Sequence, residues 1–124
     1  MPLETGLTAS TRLVVTEADT AIALGSGDVP VLGTPRLVAL CEEATVAAVA
    51  PHVGGERTTV GTRVVIDHLA ASAVGARLEA TATLQSIEGS LLVFSVVAAE
   101  GDRKVAEGAV HRAVVDRQHF LDRL

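Results

Sequence analysis

Three polar side chains interrupt or end segments that are otherwise apolar, and they are of the types that perform acid–base chemistry. Glu42 lies inside "TPRLVALCEEATVAAVA" (34–50), and Thr34 is the first residue of that segment. His68 is the last residue of "TTVGTRVVIDH" (58–68). A carboxylate and an imidazole that meet can position and deprotonate a water molecule, and imidazole titrates near neutral pH. Thr34, Glu42 and His68 are therefore the candidate catalytic residues.

Each of the three also has an ordinary structural explanation. A threonine before proline is a common helix N-cap, and a lone histidine at the end of a strand is usually a packed residue. Glu42 could reach the edge of a contact between two helices. Its neighbour Glu43 points about 100° away around the helix. We predict that Glu43 is a polar residue without a catalytic role, at the rim of the buried surface or at a dimer boundary.

The sequence offers little support for a metal site, a cofactor site, a disulfide or a nucleic-acid interface. The chain has no metal-ligand spacing, no glycine-rich phosphate loop and no GxSxG elbow, so we predict neither a metal nor an organic cofactor. Its single cysteine, Cys41, excludes an internal disulfide. A formal charge of −5 and only two aromatic residues argue against a nucleic-acid partner.

The first candidate segment reads as a buried helix. Thr34 is the expected N-cap and Pro35 the expected first helical residue, and the helix should end near Ala50 because Pro51 follows. Apolar residues go round the whole cylinder, which is typical of a helix enclosed by other elements.

Downstream of this helix the hydrophobic period changes to two, which predicts strands at 58–70, 76–87, 91–100 and 104–116. Short turns between the last three predict antiparallel hairpins. In the first of these strands, one face should hold Val60, Thr62, Val64, Ile66 and His68 and point at the helix, with Gly61, Arg63, Val65 and Asp67 opposite. Upstream, residues 11–20 include a short segment that is typical of a β-strand, and residues 24–33 are predicted to form a loop.

One helix and a curled antiparallel sheet that wraps it make an α+β hotdog fold. We predict a single hotdog domain over residues 1–124, with 1–10 as a loose end. The strand at 91–100 is apolar on both faces, so more surface needs covering than one chain supplies, and we expect a homodimer or a higher homo-oligomer. The N-terminus lacks the features of a signal peptide and no segment could span a membrane, which favours a cytoplasmic location.

Several segments of the sequence resemble those of a known protein family. Gly-Thr followed by seven residues and Glu, the helix end "APHVGG", the strand "VGTRVVIDHLA" and the tail "EGAVHRAVVD" resemble the fluoroacetyl-CoA thioesterase family of hotdog proteins. The similarity runs from about residue 30 to the end. It implies that Thr34, Glu42 and His68 form a catalytic triad. It also implies that the Gly61 backbone approaches the thioester and that Arg112 lies near the substrate pocket.

The chain departs from the family pattern at one position. The founding enzyme has an aromatic lid residue six positions before the threonine, and Asp28 stands there in this sequence. The resemblance therefore implies hydrolysis of an acyl-CoA thioester but not selection of a fluorinated acyl group.

We therefore predict an acyl-CoA thioesterase that converts a small or medium acyl-CoA to free acid and CoA. His68 would be the general base, and Glu42 would orient it or share in activating water or in forming an acyl intermediate. Thr34 would be a nucleophile or hydrogen-bond donor, and the Gly61 N–H or the helix N-terminus would hold the oxyanion. Candidate cations for the CoA phosphates are Arg36, Arg63, Arg103, Lys104, Arg112 and Arg117.

Three alternatives stay open. A hydratase on the same fold is weakened because Asp67 and His68 are adjacent and point to opposite faces. A non-catalytic hotdog module that binds acyl-CoA or another small ligand would share the fold, the dimer and the pocket. A purely structural dimer would need none of the candidate residues.

Overall fold

A five-stranded antiparallel sheet and one long helix make up most of the computed structural model, which describes residues 2–124. The strands are β1 (Thr8–Val14), β2 (Arg57–His68), β3 (Arg77–Glu88), β4 (Leu91–Glu100) and β5 (Arg103–Asp116). The helices are α1 (Ala21–Leu24), α2 (Thr34–Val49) and α3 (Arg117–Asp122). Single 3₁₀ turns at Glu17–Asp19 and Ala50–His52 precede α1 and follow α2.

The strand order is β1-β3-β4-β5-β2, so β1 and β2 form the two edges. β3, β4 and β5 are joined by the short hairpins that the turn residues predict. The sheet packs its apolar face on α2, with Leu37, Leu40 and Phe94 among the fully buried side chains of the core. This is the predicted α+β hotdog arrangement.

Helix α2 begins one residue earlier than predicted, at Thr34, and has a different cap. Gly33, not Thr34, is the N-cap, and its carbonyl accepts hydrogen bonds from the backbone of Arg36 and Leu37. The expectation that Thr34 caps the helix is therefore wrong. Because Thr34 already has helical geometry, its hydroxyl is not used for capping and is available for another contact.

One chain covers only one side of α2. Its buried residues are Leu37, Leu40, Cys41, Ala44, Thr45, Ala48 and Val49. On the opposite side Val46 is 44% exposed, and β2 at the sheet edge leaves Val65 50% exposed. The apolar residues that encircle the helix therefore lack a complete cover within residues 2–124, which agrees with the need for more covering surface inferred from the sequence.

Strand β2 carries a bulge that changes which residues face the helix. Its pairing with β5 shifts between Gly61 and Arg63. Gly61 lies opposite the buried Arg112, whereas Val64 and His68 lie opposite the buried Val110 and Ala106.

Side chains of directly paired residues share one face of a sheet. The helix-facing set is therefore Gly61, Val64, Ile66 and His68. The predicted alternation is right after the bulge and wrong before it, because one extra residue reverses the faces.

A second glycine allows β5 to lie close to β2. A Cβ atom on Gly108 would overlap the Val65 carbonyl and lie 2.8 Å from the Ile66 Cα atom. Any side chain at this position would push the two strands apart, so the hydrogen-bonded register that carries His68 depends on it.

The N-terminal segment is more ordered than the sequence suggests. Residues 8–10 belong to β1 and pair with Thr81, Ala82 and Thr83 of β3, so the expectation of a loose end at 1–10 is wrong for these three residues. Met1 lies outside the described residues. None of the helices between residues 2 and 124 has the length and hydropathy that a membrane span requires.

Candidate active site

The hydroxyl of Thr34 and the imidazole of His68 meet at the start of α2. Thr34 Oγ1 lies 2.8 Å from His68 Nδ1, which is a hydrogen-bond distance. When Nδ1 carries no proton, the threonine hydroxyl donates to it. The pair forms because β2 runs back along α2 and ends beside the helix N-terminus. Sequence analysis placed both residues in the site but did not predict this bond.

The second ring nitrogen of His68 has no hydrogen-bond partner among the described residues, although it is buried. The ring borders a cavity of about 290 Å³ that is also lined by Val31, Thr34, Leu69 and Ala71. Buried polar atoms in folded proteins are nearly always paired, and an orphaned one is typical of a functional site. The imidazole is thus held through Nδ1, and its buried Nε2 has no partner in the described part of the chain.

Glu42 contacts a different residue, the guanidinium of Arg112. Arg112 Nη1 donates to Glu42 Oε2 at 3.1 Å. Its Nε donates to Thr59 Oγ1 at 2.9 Å, and its Nη2 donates to the Thr59 carbonyl at 3.1 Å. The Arg112 side chain is only 8% exposed, and that of Glu42 is 34% exposed. Arg112 therefore acts as a fixed brace for a carboxylate that solvent can reach.

Gly61 gives the Glu42 carboxylate its space. A Cβ atom at Gly61 would lie 2.6 Å from Glu42 Oε2 and 3.4 Å from Arg112 Nη1. The sequence-predicted substrate-binding residues Gly61 and Arg112 are thus brought together with Glu42. Their predicted role in binding substrate stays a prediction, because the contacts described are within the protein.

The three candidate catalytic residues form two groups. Thr34 and His68 share one cavity, and Glu42 lines another of about 440 Å³ with Ala39, Val46 and Arg112. Thr34 and Glu42 are eight residues apart on one straight helix, which separates their Cα atoms by about 12 Å along the axis. The direct pairing of Glu42 with His68 that the sequence suggested is not present within one chain.

Neighbouring charges around α2 have structural partners. Arg36 lies 3.2 Å from the Glu43 carboxylate and 3.3 Å from that of Asp19. A hydrogen bond from the Thr16 backbone, with help from Arg36, lowers the pKa of Asp19. Glu43 is half exposed and borders the same cavity as Glu42, which agrees with the interpretation of Glu43 as a polar residue at the rim.

Cys41 is a buried core residue and not a second nucleophile. Burial, together with the nearby Glu42 charge, raises the pKa of its thiol to about 11. A thiol with such a pKa carries almost no thiolate at neutral pH and reacts slowly. Among residues 2–124 no group of three or more His, Cys, Asp or Glu side chains is arranged to hold a metal ion.

The cations predicted for the CoA phosphates divide into two kinds. Arg36, Arg103, Lys104 and Arg112 each lie within 4 Å of a carboxylate, whereas Arg63 and Arg117 do not. Arg57 was missed by sequence analysis. It lies beside Arg117 because the β2–β5 register pairs it with Asp116, and no local motif signals that pairing.

A curved sheet around one helix, with a hydroxyl–imidazole pair and a braced carboxylate along that helix, defines a hotdog protein of the thioesterase type. Residues 15–118 match the model of the fluoroacetyl-CoA-specific thioesterase family. The chain belongs to this family. The family predicted from the sequence motifs is thus confirmed.

Comparison with individual proteins supports the same family. The fluoroacetyl-CoA thioesterase of Streptantibioticus cattleyicolor is 34% identical over 90 residues, which cover 73% of this chain and 65% of that protein. The match thus spans slightly less than two thirds of the relative's length. A solved structure of the fluoroacetyl-CoA thioesterase superposes with a TM-score of 0.93 at 28% identity, covering 99% of this chain and 96% of the other.

A hot-dog-like protein from Thermanaerovibrio acidaminovorans gives a TM-score of 0.89 at 22% identity, over 98% of this chain and 90% of the other. At this identity the likeness concerns the fold alone, and it confirms the hotdog prediction.

Proposed function

We propose that this protein is an acyl-CoA thioesterase that hydrolyses a small or medium acyl-CoA to the free acid and CoA. The observation that carries the proposal is the 2.8 Å contact between Thr34 Oγ1 and His68 Nδ1, beside a cavity and on the same helix as a braced carboxylate. Membership of a thioesterase family supports it. A non-catalytic module that only binds acyl-CoA does not require a hydroxyl hydrogen-bonded to an imidazole.

His68 is the general base in this proposal. Its Nδ1 atom accepts a proton from the Thr34 hydroxyl, or from a water molecule that Thr34 holds in place, and the resulting oxygen nucleophile attacks the thioester carbonyl carbon. The carbon–sulfur bond then breaks, and the protonated imidazole returns its proton to the CoA thiolate. Positioned proton transfer of this kind contributes about 10²–10⁴ in rate.

Glu42 and Gly61 act on the other side of the thioester. When Thr34 is the nucleophile, the carboxylate of Glu42, held in place by Arg112, orients a water molecule that attacks the acyl–Thr34 ester; the ester bond breaks, the acid leaves and the Thr34 oxygen regains a proton from that water. When water is the nucleophile, Glu42 orients that attacking water. The exposed backbone of Gly61 beside it offers an N–H group to the oxyanion, a contact worth about 10²–10³ in rate.

We propose that a homodimer joins the two groups of residues into one site. A two-fold axis that passes α2 near its midpoint between Thr34 and Glu42 would place Thr34 and His68 of one chain beside Glu42 of its partner, because in a two-fold interface residue i meets j and j meets i. The exposed Val65 of the β2 edge strand would be covered by the same association.

The acyl group is proposed to be short and uncharged. The cavity beside His68 is lined by Val31, Leu69, Ala70 and Ala71, so apolar side chains surround the position of the acyl chain. The related enzyme is named for fluoroacetyl-CoA. Because the exposed Asp28 stands where that family carries an aromatic lid residue, we propose no preference for the fluorinated over the plain acyl group.

The proposal is tested by measuring release of free thiol from acetyl-, propionyl-, butyryl-, hexanoyl- and fluoroacetyl-CoA. We expect turnover by the wild type and a loss of at least about 10² in kcat for His68→Ala. His111→Ala is the matched control, because His111 lies on the outer face of β5 opposite Arg63 and should leave the rate unchanged. A folded His68→Ala protein with near-full activity would refute the assignment.

A further inference from the structure

Half of the ten basic side chains are neutralised by carboxylates. Among residues 2–124, five lie within 4 Å of an acidic oxygen, namely Arg12, Arg36, Arg103, Lys104 and Arg112. The chain is acidic overall, with a formal charge of −5. A polyanionic ligand such as CoA therefore needs a local group of cations that are not already paired.

Arg57 and Arg117 form such a group. Both line one cavity of about 150 Å³ at the C-terminal end of α2, together with Val49 and Val53. Neither has a carboxylate within 4 Å in the described part of the chain, and both are exposed. One oxygen of the adjacent Asp116 carboxylate accepts a hydrogen bond from the His119 backbone N–H at 2.8 Å.

The backbone fixes the two arginines relative to each other. Arg57 pairs in register with Asp116 at the start of β2, and the backbone N–H of Arg117 donates to the Glu56 carbonyl at 2.7 Å. Two guanidinium groups held at the rim of one cavity suit a phosphate, which accepts several charge-assisted hydrogen bonds from arginine.

This cavity adjoins the one that contains Glu42. Val46 lines both, and Thr59, which braces Arg112, lines the cavity of the arginines. From Glu42 to Ala50 the helix rises about 12 Å. The pantetheine arm of CoA is a chain of about a dozen bonds, which spans roughly 15 Å at the reach of an extended backbone. Along α2, the side chains that line the two cavities between these ends are Val46, Ala47 and Val49.

We propose that Arg57 and Arg117 bind the phosphate groups of CoA, while the thioester lies at Glu42 and the pantetheine arm follows α2 past Val46. The inference rests on the proposed function, because it takes the substrate to be a CoA thioester. It also distinguishes these two from the other three unpaired cations in residues 2–124: Arg63 lies on the outer face of the sheet, Arg77 lines a groove on that face, and Arg123 is the C-cap of α3.

Comparison of acyl-CoA with the same acyl group on pantetheine tests the subsite, because pantetheine lacks every phosphate. In Arg57→Ala/Arg117→Ala we expect kcat/KM for acetyl-CoA to fall about 10–100-fold, mainly through KM, and kcat/KM for acetyl-pantetheine to stay unchanged. The unchanged second activity shows that the variant is folded. Arg77→Ala is the matched control and should alter neither.

Equal losses on both substrates, or no loss on either, would overturn the subsite. If the wild type hydrolyses neither thioester, the proposed function fails, and calorimetric titration with CoA itself decides the subsite separately. Binding of CoA by the wild type that weakens at least tenfold in the double variant supports it. Failure of the wild type to bind CoA, or equal binding by both proteins, refutes it.

Discussion

Thr34 and His68 lie at one end of α2 and Glu42 lies further along it, which is why we propose a site that two chains share. The axial separation is about 12 Å, and a glutamate side chain reaches about a third of that distance. Within one chain Glu42 is also held away by Arg112, at 3.1 Å. The composite site therefore makes a prediction that a site within one chain does not.

Complementation between two inactive variants tests this. We expect the Glu42→Gln homodimer and the His68→Ala homodimer each to retain about 1% of the wild-type kcat or less. Co-expression with two different affinity tags and purification on both isolates the heterodimer. In it, one site carries both substitutions and the other carries neither. Its kcat per dimer should be about half that of the wild type, measured by thiol release from acetyl-CoA.

A heterodimer as inactive as the two homodimers would refute the shared site and place all three residues of a working site in one chain. The Glu42→Gln homodimer mixed after purification with the His68→Ala homodimer, without subunit exchange, is the control and should stay inactive. Light scattering on each preparation confirms the dimer that the reasoning requires.

Three further predictions concern Gly61, Gly108 and Cys41. Gly61→Ala places a Cβ 2.6 Å from Glu42 Oε2, which is the end of a flexible side chain, so we expect kcat to fall about 10–100-fold with an almost unchanged melting temperature. Gly54→Ala, where no atom lies within 4 Å, should alter neither. Gly108→Ala forces β5 away from β2 and should cost about 1–3 kcal/mol in the free energy of unfolding, measured with urea. Cys41 has a pKa raised to about 11, so the unfolded chain loses its thiol proton first as pH rises. The wild type should therefore lose up to about 3 kcal/mol of stability between pH 9 and pH 11, a loss absent in Cys41→Ala. Parallel pH profiles for the two proteins would contradict this.

The alkaline test is clear because few other groups titrate in that range. The chain has no tyrosine, and Lys104 is its single lysine. Lys104 is bonded to Glu107 on the surface and is present in both proteins, so the difference between their profiles reports Cys41.

Local patterns were sufficient for most of the fold. The start of α2 is predicted to within one residue from Thr34 and Pro35, and the strands after it follow from the period of two. The hairpins follow from turns of two or three residues. These features depend on neighbours in the sequence, which is why they could be read without coordinates.

The face of β2 could not be read in the same way. Alternation through Val60 and Thr62 looked regular, but the bulge after Gly61 adds one residue and reverses the faces. A glycine inside a strand is the only local signal of such a bulge, and it is a weak one. The cap of α2 was misassigned for a similar reason, since Gly33 and Thr34 are both acceptable caps and tertiary contacts decide between them.

The pairing of the site residues is beyond local patterns altogether. Arg112 meets Glu42 across 70 positions of sequence because β5 lies beside β2 in one particular register. The Thr34–His68 bond likewise depends on where β2 ends. The residue types predicted acid–base chemistry, whereas only the arrangement reveals that one chain divides them between two cavities.

The most direct test of the central claim is the rate of thiol release from a panel of acyl-CoA substrates by the wild type beside Glu42→Gln. We predict turnover of at least one short acyl-CoA by the wild type and a loss of about 10² or more in the variant, with CoA binding retained. Binding of acyl-CoA by the wild type without turnover of any substrate would contradict the account and would identify the protein as a binding module.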